Sequence, residues 1–152
     1  MITTSVFPGR YIQGPHAMAV LGEELARFGP KALLVVAPSI LEEVLPAYRA
    51  DIEGAVEVRI ERFGRESSDE EIDRIAQAAR SFGANSIAGL GGGKTLDTAK
   101  AAAWHAGVPA ASVPTTASTD APTSGLAVIY TAAGVFKRYQ FLPSNPSLVL
   151  VD

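Results

Sequence analysis

Ser86-Ile87-Ala88-Gly89-Leu90-Gly91-Gly92-Gly93-Lys94-Thr95-Leu96-Asp97-Thr98-Ala99-Lys100 is the stretch that decides the fold. A short apolar run, Ser86 to Leu90, enters it. Glycines then crowd together, and an alanine-rich run with helical spacing leaves. That pattern predicts a strand, a tight loop and a helix N-terminus. Gly91, Gly92 and Gly93 carry no Cβ, so their N–H groups could approach a phosphate closely. The helix dipole would present its positive end at the same place, and Lys94 would add a mobile cation. Two known phosphate motifs nearly fit, and each fails by one residue. The P-loop spacing needs glycine where Ala88 stands, and the third glycine of the dinucleotide fingerprint falls on Lys94. A bare turn remains the alternative, but one glycine would serve a turn.

Bulk properties narrow the class. The chain has 152 residues, 47% hydrophobic and 19% charged, which fits one α/β domain with a real core. Its net charge is −3, so it has no basic footprint for nucleic acid. It has no cysteine, which removes disulfides, thiolate metal sites and cysteine nucleophiles and fits a cytoplasmic location. No apolar run reaches the roughly 20 residues of a membrane span, and no signal peptide is recognisable.

Outward from the glycine stretch, apolar runs alternate with helical patterns. Arg10 to Gln13 reads as a strand and residues 16 to 28 as a helix, with Met18, Leu21, Leu25 and Phe28 on one face. Lys31 to Ala37 reads as a strand buried on both faces. Residues 40 to 50 read as a helix disturbed by Pro46, and Val56 to Ile60 as a half-exposed strand. Ser68 with Glu71 is a capping box opening a helix to Phe82, whose charges read as a solvated face. The helix after the glycines should run to about His105, burying Leu96, Ala99, Ala103 and Trp104. His16 and His105 read as surface or capping residues. Val108 to Val113 is the next strand. Gly125 to Tyr130 and Phe136 to Phe141 form a hairpin, and Leu148 to Val151 is a last buried strand.

This rhythm predicts a Rossmann-like doubly wound parallel sheet with a β-hairpin insertion. Ligands bind such sheets beyond the carboxyl ends of the strands. The glycine loop leaves one such end, and Pro114 to Ser124 leaves the next. That second loop holds six hydroxyl side chains and one carboxylate, Asp120. Hydroxyls can bind phosphate and ribose oxygens, and Asp120 could accept from substrate hydroxyls. A Ser/Thr-rich turn and cap is the competing reading. The chain ends at the exit of a strand, so residues 1–152 are expected to be a dinucleotide-binding domain cut from a longer protein.

Four stretches carry a family resemblance: Tyr11-Ile12-Gln13-Gly14, Gly91 to Lys100, Pro114 to Tyr130, and Asn145-Pro146 to Val151-Asp152. Together they resemble the glycerol dehydrogenases of the iron-containing alcohol dehydrogenase and dehydroquinate synthase superfamily. The resemblance implies oxidation of glycerol to dihydroxyacetone with NAD, homo-oligomers of the full-length enzyme, and a divalent metal, usually zinc. It implies that Gly93, Lys94 and Asp97 hold the NAD pyrophosphate and neighbouring groups, and Gly91, Gly92 and Thr95 of the same loop join them as candidate cofactor-binding residues. It implies cofactor contacts at Thr115, Ser118, Ser124, Leu126 and Tyr130, with Thr116 a further candidate in the same loop, and a glycerol hydroxyl on Asp120. The metal ligands would come from a helical C-terminal domain that is absent here, so no metal residue is assigned. The fragment is therefore expected to be inactive alone. One departure concerns the cofactor: the family's ribose-binding aspartate is replaced by Pro38, so NADP is not excluded.

Three rival readings stand beside this one. A glycerol-1-phosphate dehydrogenase-like domain would need an extra cationic pocket. A nucleoside triphosphatase would use Lys94-Thr95 and the terminal Leu148 to Asp152. A non-catalytic nucleotide-binding module would need neither.

Overall fold

The computed structural model describes residues 2–152. Its centre is a six-stranded sheet in the order β1-β8-β5-β4-β2-β3, parallel throughout. The strands are β1 (Arg10–Gln13), β2 (Lys31–Val36), β3 (Glu57–Arg62), β4 (Ser86–Gly91), β5 (Ala110–Pro114) and β8 (Leu148–Val151). A second, two-stranded antiparallel sheet is the expected hairpin, β6 (Leu126–Tyr130) and β7 (Phe136–Phe141).

Side chains alternate across a strand, so a doubly buried strand feeds two cores. Leu34 and Val36 of β2 join Leu90 and Val113 on one face. There α1 (Leu21–Ala26) and α3 (Leu45–Ala55) cover them through Leu25 and Ile52. Leu33 and Val35 join Ile87 on the other face. Ile72 and Ile75 of α4 (Asp69–Phe82), the alanines of α5 (Gly93–Ala106), and Ala127 and Ile129 of the hairpin cover that face. The chain runs outward from β2 to β3, returns over α4 to the far side of β2, and continues from β4 to β5. The strand order therefore reverses between β2 and β4, and the glycine turn leaves β4 at that point.

Several local expectations need correction. Residues 16–28 are not one helix. A 3-10 turn, Ala17–Val20, precedes α1. The Asp152 carboxylate accepts from the N–H groups of His16 at 2.8 Å and Met18 at 3.0 Å, which fixes this tighter turn. The helix expected over 40–50 is two, α2 (Pro38–Glu43) and α3, meeting at Val44. Pro46 lies in the first turn of α3, where its missing N–H leaves no bond unmade. Trp104 is 49% exposed rather than buried.

The Ser68 cap is present, its hydroxyl accepting from the Glu71 N–H at 3.3 Å. The reciprocal arm is not, because the Glu71 carboxylate accepts from the Gly64 N–H and Arg74 instead. Nor is the acidic start of α4 merely solvated. Asp69 accepts from Arg138 at 2.6 and 2.9 Å and from Lys137 at 2.7 Å, which ties the hairpin to the helix. These cations hold the Asp69 carboxyl well below the usual carboxylate range.

Candidate functional site

Strand β4 delivers its glycines to the switch point by way of two close approaches. A Cβ on Gly89 would lie 2.7 Å from the Ala99 Cβ, so this glycine lets α5 pack onto the sheet. Gly91 has φ +156°, and a Cβ there would lie 2.8 Å from both the Ala37 Cβ and the Thr95 Oγ1. Its carbonyl accepts from the Thr115 N–H at 3.1 Å, joining the two predicted loops. Gly92 and Gly93 differ. Gly92 has extended backbone with nothing near its missing Cβ, and a Cβ on Gly93 would make only ordinary contacts. Nothing in the protein demands glycine at either position. A side chain there would fill the space in front of the helix.

What occupies that space electrostatically is a set of open donors. Among the described residues, the amides of Gly92, Gly93, Lys94 and Thr95 donate to no backbone or side-chain acceptor. The first closed bond of α5 runs from Leu96 N–H to the Gly92 carbonyl at 3.1 Å. Orphan amides are expected at a helix start. Here the turn is partly exposed at Gly92 and Gly93, which carry no side chain to cover it, and exposed at Lys94, while Thr95 is buried. The arrangement fits a diphosphate, which takes several amide hydrogen bonds and the positive dipole end together.

Beside the amides lies a cleft of about 350 Å³ lined by Gly93, Lys94, Asp97, Asp120, Ser124, Leu126 and Tyr130, with Thr119, Ala121 and Val128. Seven of the predicted residues thus share one cavity. Thr115 and Thr116 line the adjoining clefts instead. Gly91, Gly92, Thr95 and Ser118 line none of these, and the Thr95 side chain is buried beneath the turn.

The charged groups are disposed unevenly. The Asp120 carboxylate is exposed and makes no hydrogen bond among the described residues. Only its carbonyl is engaged, by the Thr123 and Ser124 N–H groups at 3.0 and 3.1 Å. Lys94 is not the mobile cation expected. Its ammonium lies 2.7 and 2.9 Å from the Glu66 carboxylate oxygens and 4.7 Å from the centre of the Tyr130 ring. Asp97 is buried, and its Oδ2 accepts from the Val128 N–H at 3.0 Å. Burial pushes its carboxyl above the usual range, against the pull of Lys100 at 3.1 Å. Asp97 therefore holds the hairpin as well as lining the cleft.

The nucleoside triphosphatase reading loses its second motif here. The Asp152 carboxylate that would mimic a magnesium ligand is bonded to the 3-10 turn. Among the described residues, no three His, Cys, Asp or Glu side chains are grouped to hold a metal ion. His16 reaches Tyr48 and His105 reaches Asp73, both at the surface.

A family model, Iron-containing alcohol dehydrogenase, matches residues 8–152. The chain belongs to the iron-containing alcohol dehydrogenase family. It is 51% identical to the glycerol dehydrogenase of Thermotoga maritima over its whole length, which is 42% of that protein. A probable glycerol dehydrogenase from Sinorhizobium meliloti superimposes with a TM-score of 0.90 at 38% identity, over 99% of this chain and 41% of that one. A sulfoacetaldehyde reductase from Bifidobacterium kashiwanohense, solved in complex with NAD+, has the same fold, with a TM-score of 0.82 at 21% identity. That likeness covers 100% of this chain and 46% of that one. The chain thus spans less than half the length of these relatives. In this member of the family, the fold and the glycine turn at its switch point are as the sequence predicts.

Two residues at the site carried no signal that the sequence reading used. Glu66, in the loop before α4, neutralises Lys94. Lys100 is buried inside α5 and bonds to backbone carbonyls. Lys100 stands on the same helix face as Leu96 and Ala103, and that apolar spacing could have marked it as inward-facing.

Proposed function

We propose that this chain is the dinucleotide-binding part of a glycerol dehydrogenase that converts glycerol to dihydroxyacetone with NAD. The observation that carries the reading is the row of unpaired amides at Gly92 to Thr95, opening beside a cleft with a free carboxylate. The amides hold the cofactor diphosphate. Asp120 accepts hydrogen bonds from polyol hydroxyls, the acceptor role an ionised carboxylate fills best. The alcohol must meet the reactive ring, so the nicotinamide half lies in the Asp120 cleft against Ser124, Leu126 and Tyr130. The adenosine half then takes the more apolar cleft of about 310 Å³ lined by Met18, Ile40, Val44, Tyr48, Leu90 and Thr115. The glycine turn joins the two clefts, since Leu90 lines one and Gly93 the other. When bound, the nicotinamide ring takes up the hydride from the alcohol carbon.

The described residues do not fit a metal ion, so the family's divalent metal, zinc by resemblance, would need ligands from outside them. A phosphorylated polyol is disfavoured, because the one cation lining the cleft, Lys94, is already paired with Glu66. We also infer a cytoplasmic location and a homo-oligomeric full-length enzyme, on resemblance alone.

The test is titration of this chain with NADH and NADPH, followed by nicotinamide fluorescence. Saturable NADH binding is the expected result, and its absence overturns the reading. Pro38 opens α2 where an aspartate would grip the adenosine ribose, so NADPH should bind within about tenfold of NADH, a difference of about 1.4 kcal/mol.

A further inference from the structure

Lys100 is among the largest fully buried side chains in the protein, 1% exposed, and is followed in its helix by three buried alanines. A buried ammonium is tolerated only when its donors are met. Three backbone carbonyls meet them: Ala121 at 2.7 Å, Ser124 at 3.2 Å, and Leu126. The Asp97 carboxylate lies 3.1 Å away and supplies the opposite charge. Burial still pushes the Lys100 ammonium down from its usual range.

All three carbonyls come from the segment that follows Asp120 and forms one wall of the Asp120 cleft. Among the described residues, 121–124 otherwise make only short turns onto the Asp120 carbonyl and the Thr119 hydroxyl. The segment's far end joins the hairpin, where the Leu142 N–H donates to the Gly125 carbonyl at 2.9 Å and Leu126 pairs with Phe141. The ammonium has three N–H donors and can gather three carbonyls at one point, which no neutral side chain of this length can do. Lys100 also shares a rigid helix with the open amides. It lies seven positions beyond Gly93, about 10 Å along the axis. Asp97, between them, secures the Val128 N–H. The phosphate cradle and the far wall of the cleft are thus mounted on a single element.

We propose that Lys100 is a positioning residue: it fixes residues 121–126 against α5 and so sets the shape of the cleft for the nicotinamide half, without touching the cofactor. The inference rests on the dinucleotide reading above. It predicts a split that a general loss of stability would not give. ADP engages the amides and the apolar cleft, whereas NADH also needs the wall that Lys100 holds.

The experiment uses this chain and its Lys100→Met variant, with NADH and ADP as probes and amide hydrogen exchange as a third readout. In Lys100→Met the NADH Kd should rise about tenfold or more, while the ADP Kd stays within about twofold. Exchange at residues 121–128 should accelerate about a hundredfold, with β2 and α4 unchanged. Unchanged exchange at 121–128 overturns the proposal. So does equal loss of ADP and NADH binding, which would mark Lys100 as general scaffold. If the parent chain binds neither probe, the dinucleotide reading fails, and exchange alone still decides whether Lys100 holds the segment. If Lys100→Met does not fold, Lys100→Gln, whose amide keeps up to two donors, is measured in the same way.

Discussion

Gly89 and Gly92 lack a side chain for different reasons, and substitution separates them. Gly89→Ala puts a methyl 2.7 Å from the Ala99 Cβ in a closed helix-to-sheet contact. It should lower stability by about 1–3 kcal/mol, seen as a shifted urea midpoint. Gly92→Ala meets nothing and keeps an extended backbone. It should cost about 1 kcal/mol or less as a weaker helix cap. The same methyl would stand in front of the open amides, so NADH affinity should fall about tenfold or more in that variant alone. Asp120→Asn makes a third contrast. Its carboxylate supports no internal bond, so folding and NADH binding should both survive in this chain. In a complete enzyme the same change should raise the KM for glycerol, because an amide accepts hydrogen bonds less strongly than a carboxylate.

At the scale of elements, the hairpin is the part whose attachment can be switched. It is held to α4 by Asp69 with Arg138 and Lys137, and to α5 by Asp97 through Val128. The folded Asp69 carboxyl is depressed below its unfolded value. Its stabilisation is therefore complete above the ordinary carboxylate pKa of about 3.9, and it fades as pH falls from there toward the lower folded value. Acid titration followed by hydrogen exchange in β6 and β7 should show the hairpin loosening below about pH 4. Asp69→Asn should remove that pH dependence and cost about 1 kcal/mol at neutral pH, since the pairs are partly exposed. Ser68→Ala removes the hydroxyl that receives the Glu71 N–H. It should lower stability by about 1 kcal/mol and Tm by about 2–4 °C.

Much of this level was legible in the sequence. Unbroken apolar runs such as Ala32 to Val36 have few solutions other than a doubly buried strand. The capping serine and the glycine after Phe82 bracket α4 without reference to the rest of the chain. Contacts with distant partners were not legible. The 3-10 turn at Ala17 depends on a carboxylate at the other end of the sequence. Lys100 bonds to carbonyls that every residue possesses, so its partners have no sequence signature. Lys94 reads as a free cation until folding brings Glu66 beside it.

For the whole molecule, the two halves of the proposed activity should come apart. The open amides and both clefts lie within these residues, while no three-ligand metal group does. The chain should therefore bind NADH yet give little or no glycerol oxidation with added zinc, as a coupled assay of NADH formation would report. Steady turnover would overturn this division of labour.

The sheet also joins the extremes of the sequence. Among the described residues β1 pairs only with β8, and β8 fills the place between β1 and β5. During synthesis, β1 has no strand to pair with until β8 has been made. Until then β5 is an open edge. A chain that stops just short of Leu148 should remain protease-sensitive over both β1 and β5. Restoring Leu148 to Val151 should protect distant segments in one step, so these four residues act as the trigger for cooperative closure.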